Sequence, residues 1–479
     1  MDAIKILREE FKELSKLNLN TYSYEYEYVD ELSEFKMYDF DEVMINEVVN
    51  KSQQAYESFS KSTVFERTNI LLKSAYLLEE YKDEFAKIIA LEAKKPIKFA
   101  IQEVSRCIQT LKVSAFETSN LEGTQINLNA AENGEYREAI TKYESLGVVY
   151  AMTPFNFPLN LALHKVGPAL AVGNSVVIKP SEKTPFTAYL LKYLLEEAGL
   201  PKNVYQVITG DGATLTDEML SHKEVKKVSF TGSPAVGELI KSKVGFRKLT
   251  LELGSTSPVY VSNDIDDLDD IANKIVTGAF SYNGQVCIST QKVYVHQEYY
   301  DELIRSLKEK MEQLVFGDYL EEATDYCNLI DEKSQTRIMN WIKEAVNEGA
   351  TIISGGEVLE GAIKPTLLTN VNRESKVCTN EIFGPVLVVE LVEETHNIID
   401  LLNQNDFGLN IGVFTNNIKH AMKIANEVDY GQVMINDVPT LRFDHMPYNG
   451  RKNSGYGTEG IKYAIKEMSQ LKMISINYG

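Results

Sequence analysis

Apolar positions are sparse among the Tyr and Glu residues of the first 40 positions, where only Leu7, Phe11 and Leu14 share one helical face. Residues 41–120 then follow a helical period. Ile70, Leu71, Ala75, Leu78 and Tyr81 recur at i, i+3, i+4 spacing, as do Phe85, Ile88, Ile89 and Leu91. Pro96 interrupts before a further helix from about Lys98. From about residue 147 the rhythm becomes short apolar runs separated by helical stretches: Gly147–Ala151, Ser175–Ile178, Val204–Ile208, Val225–Phe230 and Leu249–Leu251. Such alternation predicts βαβ units on a parallel sheet. A second region of this kind has candidate strands at Val293–Val295, Val386–Leu391, Gly412–Phe414 and Val433–Ile435. The pattern thus predicts two α/β domains meeting near residue 253. Residues Tyr136–Tyr143 and Met473–Asn477 alternate like lone edge strands, which invite pairing with another chain and suggest a homodimer or homotetramer.

A length of 479 residues fits two or three domains rather than one core. The net charge of −20, from 49 basic and 69 acidic residues, argues against a nucleic-acid or anionic-membrane partner. No apolar run reaches the roughly 18 residues of a membrane span. Met1 leads into an acidic amphipathic stretch rather than a secretory signal, so a cytoplasmic enzyme is expected. The four cysteines, Cys107, Cys287, Cys327 and Cys378, show no CxxC spacing, and six His complete a set that speaks against zinc and against a disulfide framework.

Candidate chemistry concentrates at a few junctions. Asn283-Gly284-Gln285-Val286-Cys287-Ile288-Ser289 sets a thiol among glycine and small polar residues, as a tight accessible turn would. Leu251-Glu252-Leu253-Gly254 ends a predicted strand 35 residues earlier with a carboxylate that could act as a base. Thr153-Pro154-Phe155-Asn156-Phe157-Pro158 follows a strand and opens a helix. Asn156 there can either cap the helix or donate to a developing oxyanion. Lys179 to Pro185 ends another strand, where Lys179 and Glu182 can bracket a ribose or simply form a solvated turn. Phe230-Thr231-Gly232-Ser233-Pro234-Ala235-Val236-Gly237 is a strand–glycine–helix junction fit for a pyrophosphate, although it is not GxGxxG. Glu381 and Phe383 lie two apart before a strand, one able to hold a hydroxyl and the other to pack a ring.

Together, PFNFPL, KPSEKTP, FTGSPAVG, LELG, GQVCIS and EIFGPV resemble the aldehyde dehydrogenase superfamily, in its order and spacing, from about residue 45 to the C-terminus. GQVCIS and Val438–Pro447 are similar to its lactaldehyde, phosphonoacetaldehyde and succinate-semialdehyde branch. The resemblance implies a Rossmann-like cofactor-binding α/β domain (1–121 and 146–252), an α/β catalytic domain (253–469) and oligomerisation strands (122–145 and 470–479). It implies Cys287 as nucleophile, Asn156 as oxyanion donor and Glu252 as general base. Thr153, Phe155, Lys179, Glu182, Phe230, Gly232, Ser233, Val236, Glu381 and Phe383 then match cofactor contacts. A carboxylate at 182 would repel a 2′-phosphate, so NAD is expected over NADP, while Lys179 and Lys183 could offset this. Retention of Glu252 implies hydrolysis to the free acid.

Some positions depart from the family pattern. The usual paired glycine after the base is Gly254-Ser255, and the usual PFGG is Pro447-Tyr448-Asn449-Gly450. Val286 stands where relatives acting on phosphonate or phosphate often carry Arg, which favours a small uncharged aldehyde such as lactaldehyde or glycolaldehyde. Arg106 and Arg442 leave open a semialdehyde with one acidic group, with Val286 and Ile288 as flanking contacts. Two other readings stay open: a cofactor-free cysteine esterase, which would leave the segments at 230–237 and 381–383 without work, and a retired scaffold. Cys107 is the rival nucleophile.

Overall fold

The computed structural model describes residues 2–17, 19–22, 32–393 and 397–479. Local signals start many of its helices. Thr63 and Glu66 form a reciprocal capping box at the helix Val64–Glu80, and Asp41, Asp211 and Asp331 cap three others with their carboxylates.

The first sheet contains the five expected strands. Their order is Lys248–Glu252, Val225–Thr231, Val148–Met152, Ser175–Lys179, Tyr205–Val207, all parallel. Chain order runs outward to one side from Val148–Met152 and then restarts on its other side. The reversal leaves a crevice at the carboxyl ends of Val148–Met152 and Val225–Thr231, where open α/β sheets bind their ligands. Both central strands are almost wholly buried and read as continuous apolar runs, as a doubly covered parallel sheet requires.

Three features depart from expectation. A sixth strand, Gly455–Tyr456, adds antiparallel to Lys248–Glu252. The helix Ile461–Glu467 follows it and buries Ile461, Ile465 and Met468 in the first core. Residues 455–468 thus leave the 253–469 block expected for the second domain, because their apolar face completes the first core. The N-terminal stretch is also more ordered than its pattern suggests. Helix Ala3–Leu14 forms as predicted, and Asn20–Tyr22 pairs with Met37–Asp39. Phe11 and Phe35 then pack against Phe186, with ring centroids 5.8 and 5.5 Å away.

The second sheet has seven strands, including the expected Lys292–His296, Val386–Val392, Asn410–Phe414 and Gln432–Ile435. Val259–Val261, Thr366–Thr369 and Thr351–Ser354 escape the apolar-run criterion, being short and, in the last case, a bulged antiparallel edge. The lone alternating segments do pair, with each other: Arg137–Ser145 runs antiparallel to Ser469–Asn477, and Gln125–Ile126 adds a third strand.

One buried ion pair ties helices to the crevice. Lys95 Nζ lies 2.6 Å from Glu103 Oε2, both side chains fully buried, and sits 3.8 Å above the Phe157 ring. The other Glu103 oxygen accepts from the backbone N–H groups of Leu159 and Asn160, at the start of helix Asn160–Val172. This anchors the turn that carries Asn156. Replacing Glu103 with Gln strands a buried ammonium, so the expected loss is about 3 kcal/mol, read as a lower urea midpoint for E103Q than for wild type.

Candidate active site

The crevice opens into a cleft of about 620 Å³. It runs from Lys179, Glu182 and Asp211, past Gly232 and Ser233, to Cys287. Thr153, Phe155, Asn156, Phe230, Val236, Glu381 and Phe383 line it as well, so every sequence-derived cofactor position comes to one cavity.

The junction at 230–237 is built as the sequence suggests. Ser233 is extended at the N-cap of helix Pro234–Lys243 without bonding the first turn through its side chain, and Pro234 begins the helix. First-turn N–H groups therefore face the cleft with the positive end of the helix dipole. A Cβ on Gly232 would lie 2.4 Å from the Phe230 ring, so a side chain there would push that ring aside. At the outer end, Lys179 Nζ lies 3.5 Å from the half-exposed Glu182 carboxylate. Lys183 also lines the cleft, paired with Asp331 and lying 5.1 Å over the Phe155 ring. At the inner end Phe155 and Phe383 meet edge to face at 5.7 Å. Glu381 accepts from the Ser255 N–H at 3.2 Å, and burial pushes its carboxyl up to about 7. An N–H-lined junction, a carboxylate at the ribose end and a shaped aromatic end fit a dinucleotide.

The loop before Cys287 owes its shape to three left-handed residues in succession: Tyr282 (φ 50°), Asn283 (φ 55°) and Gly284 (φ 68°). Asn283 is secured by donating to Asn328 O at 3.2 Å and accepting from the Cys327 N–H at 3.0 Å. A Cβ on Gly284 would sit 2.3 Å from Gly384 O, which brings the 283–289 and 381–386 segments into direct backbone contact. Ser257 Oγ donates to Cys287 O at 3.4 Å.

Cys287 Sγ lies 3.3 Å from Tyr448 Oη. Burial pushes its thiol up to about 11, while Tyr448 and Arg442 oppose the rise and Glu381 and Glu252 add to it. Asn156 donates from Nδ2 to Gln285 O at 2.9 Å, which uses one of its two N–H groups. Its Oδ1 has no partner among the described residues. Glu252 ends its strand buried, with neither carboxylate oxygen hydrogen-bonded among the described residues. Burial and then the charge of Glu459 push Glu252 well above the usual carboxylate range. Glu459 goes the other way: burial opposes its ionisation, but Lys165 Nζ at 2.6 Å prevails. Two neighbouring carboxyl groups are thereby pushed in opposite directions, Glu252 up and Glu459 down.

The substrate-side candidates part company. Val286 and Ile288 pack beside the sulfur with Leu409 and Tyr448. Arg106 is committed to Asp444, with contacts of 2.8 and 3.3 Å. Asp444 also lies 2.8 Å from His164 Nε2, and although burial opposes it, these partners hold its carboxyl well below the usual range. Arg442 stacks 3.6 Å over the Tyr448 ring, and its buried Nε and Nη2 have no partner among the described residues. Cys107 is fully buried on its helix, with Sγ 3.7 Å from Asn160 Oδ1, and does not line the cleft.

Sequence reasoning passed over Lys165, Glu459 and Tyr448. Lys165 carried a signal, a lone cation within the otherwise apolar LALHKVGPALAV helix. Glu459 carried none, being 294 residues away from its partner.

The signature of the Aldehyde dehydrogenase family spans residues 29–474, and the chain belongs to that family. It is 46% identical over 431 residues, 90% of each chain, to a 3-sulfolactaldehyde dehydrogenase of Priestia aryabhattai. It is 42% identical over 435 residues to a lactaldehyde dehydrogenase of Methanococcus maripaludis, covering 90% of this chain and 91% of that one. Among solved structures, an NADP-dependent glyceraldehyde-3-phosphate dehydrogenase from Bacillus halodurans, complexed with NADP, superposes with a TM-score of 0.89 at 35% identity. That match covers 92% of this chain and 93% of the other.

Gly284→Ala must move either the 283–289 loop or the 384 backbone. The strain of a positive φ alone costs about 1–3 kcal/mol. The expected outcome is a lower melting temperature together with lost turnover, checked by thermal denaturation and steady-state assay of the same preparation.

Proposed function

We propose that this aldehyde dehydrogenase oxidises a short 2-hydroxyaldehyde, lactaldehyde or glycolaldehyde, to the carboxylic acid, with Cys287 as nucleophile and NAD as preferred oxidant. The observation that carries the reading is the position of Cys287 at the inner end of a dinucleotide-shaped cleft, beside Asn156 and Glu252. The Cys287 thiolate adds to the aldehyde carbon, and the charge moves to the former carbonyl oxygen. Asn156 donates its second Nδ2 hydrogen, the one not used on Gln285 O, to that oxyanion. The bound nicotinamide supplies the hydride acceptor. The resulting Cys287 thioester is opened by water. Glu252, buried and with its carboxyl held above the usual range, takes the water's proton in its ionised form as the general base.

The curated relatives support the substrate class by the aldehydes in their names, lactaldehyde and its 3-sulfo derivative. A second reading, an aldehyde bearing one acidic group, draws on Arg442, whose two buried N–H-bearing nitrogens lack partners beside Tyr448. Cofactor preference rests on Glu182 at the ribose end and on the pairing of the Lys183 charge with Asp331. The strand pair Arg137–Ser145 and Ser469–Asn477 leaves Leu471, Met473, Ile474 and Ile476 exposed, which favours a homodimer or homotetramer built through this sheet. Among the described residues no helix is long and apolar enough to cross a membrane. With all four cysteines free thiols, a reducing cytoplasm is the favoured compartment.

The test is NADH formation across lactaldehyde, glycolaldehyde, propanal, succinate semialdehyde and glyceraldehyde 3-phosphate. Best turnover is expected with a 2-hydroxyaldehyde, and none with Cys287→Ala. A preference for the anionic aldehydes would instead establish the second reading, and turnover by Cys287→Ala would overturn the nucleophile assignment. For the cofactor, kcat/KM should favour NAD over NADP by about five- to tenfold, since one like-charge contact near water costs ~1 kcal/mol. Glu182→Ser should narrow that ratio, as read by paired assays with the two nucleotides.

A further inference from the structure

Tyr448 is the position where this chain carries a hydroxyl in place of the phenylalanine of the PFGG pattern. The side chain is buried, 2% exposed, and Oη lies 3.3 Å from Cys287 Sγ. Its backbone is fixed from both sides, with the Tyr448 N–H donating to Glu459 O at 3.0 Å and the Glu459 N–H to Tyr448 O at 2.7 Å. The Arg442 guanidinium stacks on the ring at 3.6 Å. The phenol therefore has a fixed place, a cation on its face and the reactive sulfur at its oxygen.

We propose that the Tyr448 hydroxyl, polarised by the stacked Arg442, is the donor that favours the thiolate form of Cys287 before the aldehyde arrives, an assignment that rests on Cys287 being the nucleophile. With a neutral thiol either atom can donate in this contact. Once the thiol has released its proton to water, only the phenol can donate, so the bond favours the charged form. Tyr448 keeps its own proton, because burial and the neighbouring Cys287 hold the phenol well above its usual range. The charged groups around the sulfur oppose one another. Glu381 and Glu252 disfavour the thiolate, Arg442 favours it, and burial disfavours it more than any of them. The Tyr448 bond is the largest influence acting against that burial.

The same bond has a cost later in the reaction. As the S–C bond forms, electron density leaves sulfur for the carbonyl oxygen, and a sulfur bonded to two carbons is a poor acceptor. Tyr448 thus stabilises the thiolate more than the addition product. It raises the fraction of ionised sulfur at neutral pH and lowers the reactivity of each thiolate. A residue that merely packs against the loop would not separate these two quantities.

The experiment is the pH profile of iodoacetamide alkylation, in the absence of nucleotide and aldehyde, for wild type, Tyr448→Phe, Arg442→Gln and Cys287→Ala. Alkylation at Cys287 is the signal that Cys287→Ala removes. A hydrogen bond to a charged group contributes about 1.5–3 kcal/mol, so Tyr448→Phe should move the apparent thiol pKa up by about one to two units. Alkylation at pH 7 would then be about 10- to 100-fold slower, with a plateau rate at high pH no lower than in wild type. Arg442→Gln should shift the profile in the same direction by less, and it carries the test if Tyr448→Phe does not fold, as judged by NAD binding. A Tyr448→Phe profile that superimposes on wild type, or falls by one factor at every pH, overturns the proposal. If Cys287→Ala retains aldehyde turnover, the nucleophile assignment fails instead, and the two failures are distinct.

Discussion

Between Val148–Met152 and Val225–Thr231 the direction of winding reverses, so the helices that follow these strands leave on opposite sides of the sheet. No crossover covers the carboxyl ends at that point, and a parallel sheet cannot avoid the opening. The rest of the site depends on this gap. The Asn156 turn, the Lys179–Glu182 turn, the Gly232 junction and Leu253-Gly254, which follows Glu252, all lie at strand ends of one sheet, and the cysteine loop and Glu381 close the cavity from the second domain.

Buried charge is handled in two ways around this opening. Where it supports the framework, it is paired: Lys95 with Glu103, Lys165 with Glu459, and Arg106 with Asp444, which also bonds His164. Where it faces the reacting atoms, partners are withheld. Glu252, Arg442 and Asn156 Oδ1 each keep buried polar atoms unbonded among the described residues. Leaving such groups unmet costs stability, and sites that bind or transform a ligand are where that cost is tolerated. The paired groups hold the unpaired ones in place, as when Glu103 anchors the turn that carries Asn156.

Conformational strain also reaches the site. Tyr282, Asn283 and Phe383 all have positive φ without being glycine, and all belong to the two loops that meet at Gly284 and Gly384. Tertiary contacts, including Asn283 with Asn328 and Cys327, hold these conformations against their local preference.

The parallel sheets were legible because they depend on local chemistry, and the candidate cofactor junction and the candidates Cys287, Glu252 and Asn156 stood out for the same reason. An apolar run between helical stretches is a buried parallel strand, and a glycine before a helix exposes N–H groups, wherever in the fold they occur. Residues 455–468 were misassigned because a two-residue antiparallel strand and a short helix have no pattern that names their host sheet. The pairing of Lys165 with Glu459, the engagement of Arg106 by Asp444 and the contact of Tyr448 with Cys287 span 161 to 338 residues. Sequence by itself determined which residue types stand at each strand end and hence the class of chemistry. Tertiary structure alone decided which of the charged groups are neutralised and which remain available, because that depends on burial and on partners that only the folded chain brings within bonding distance.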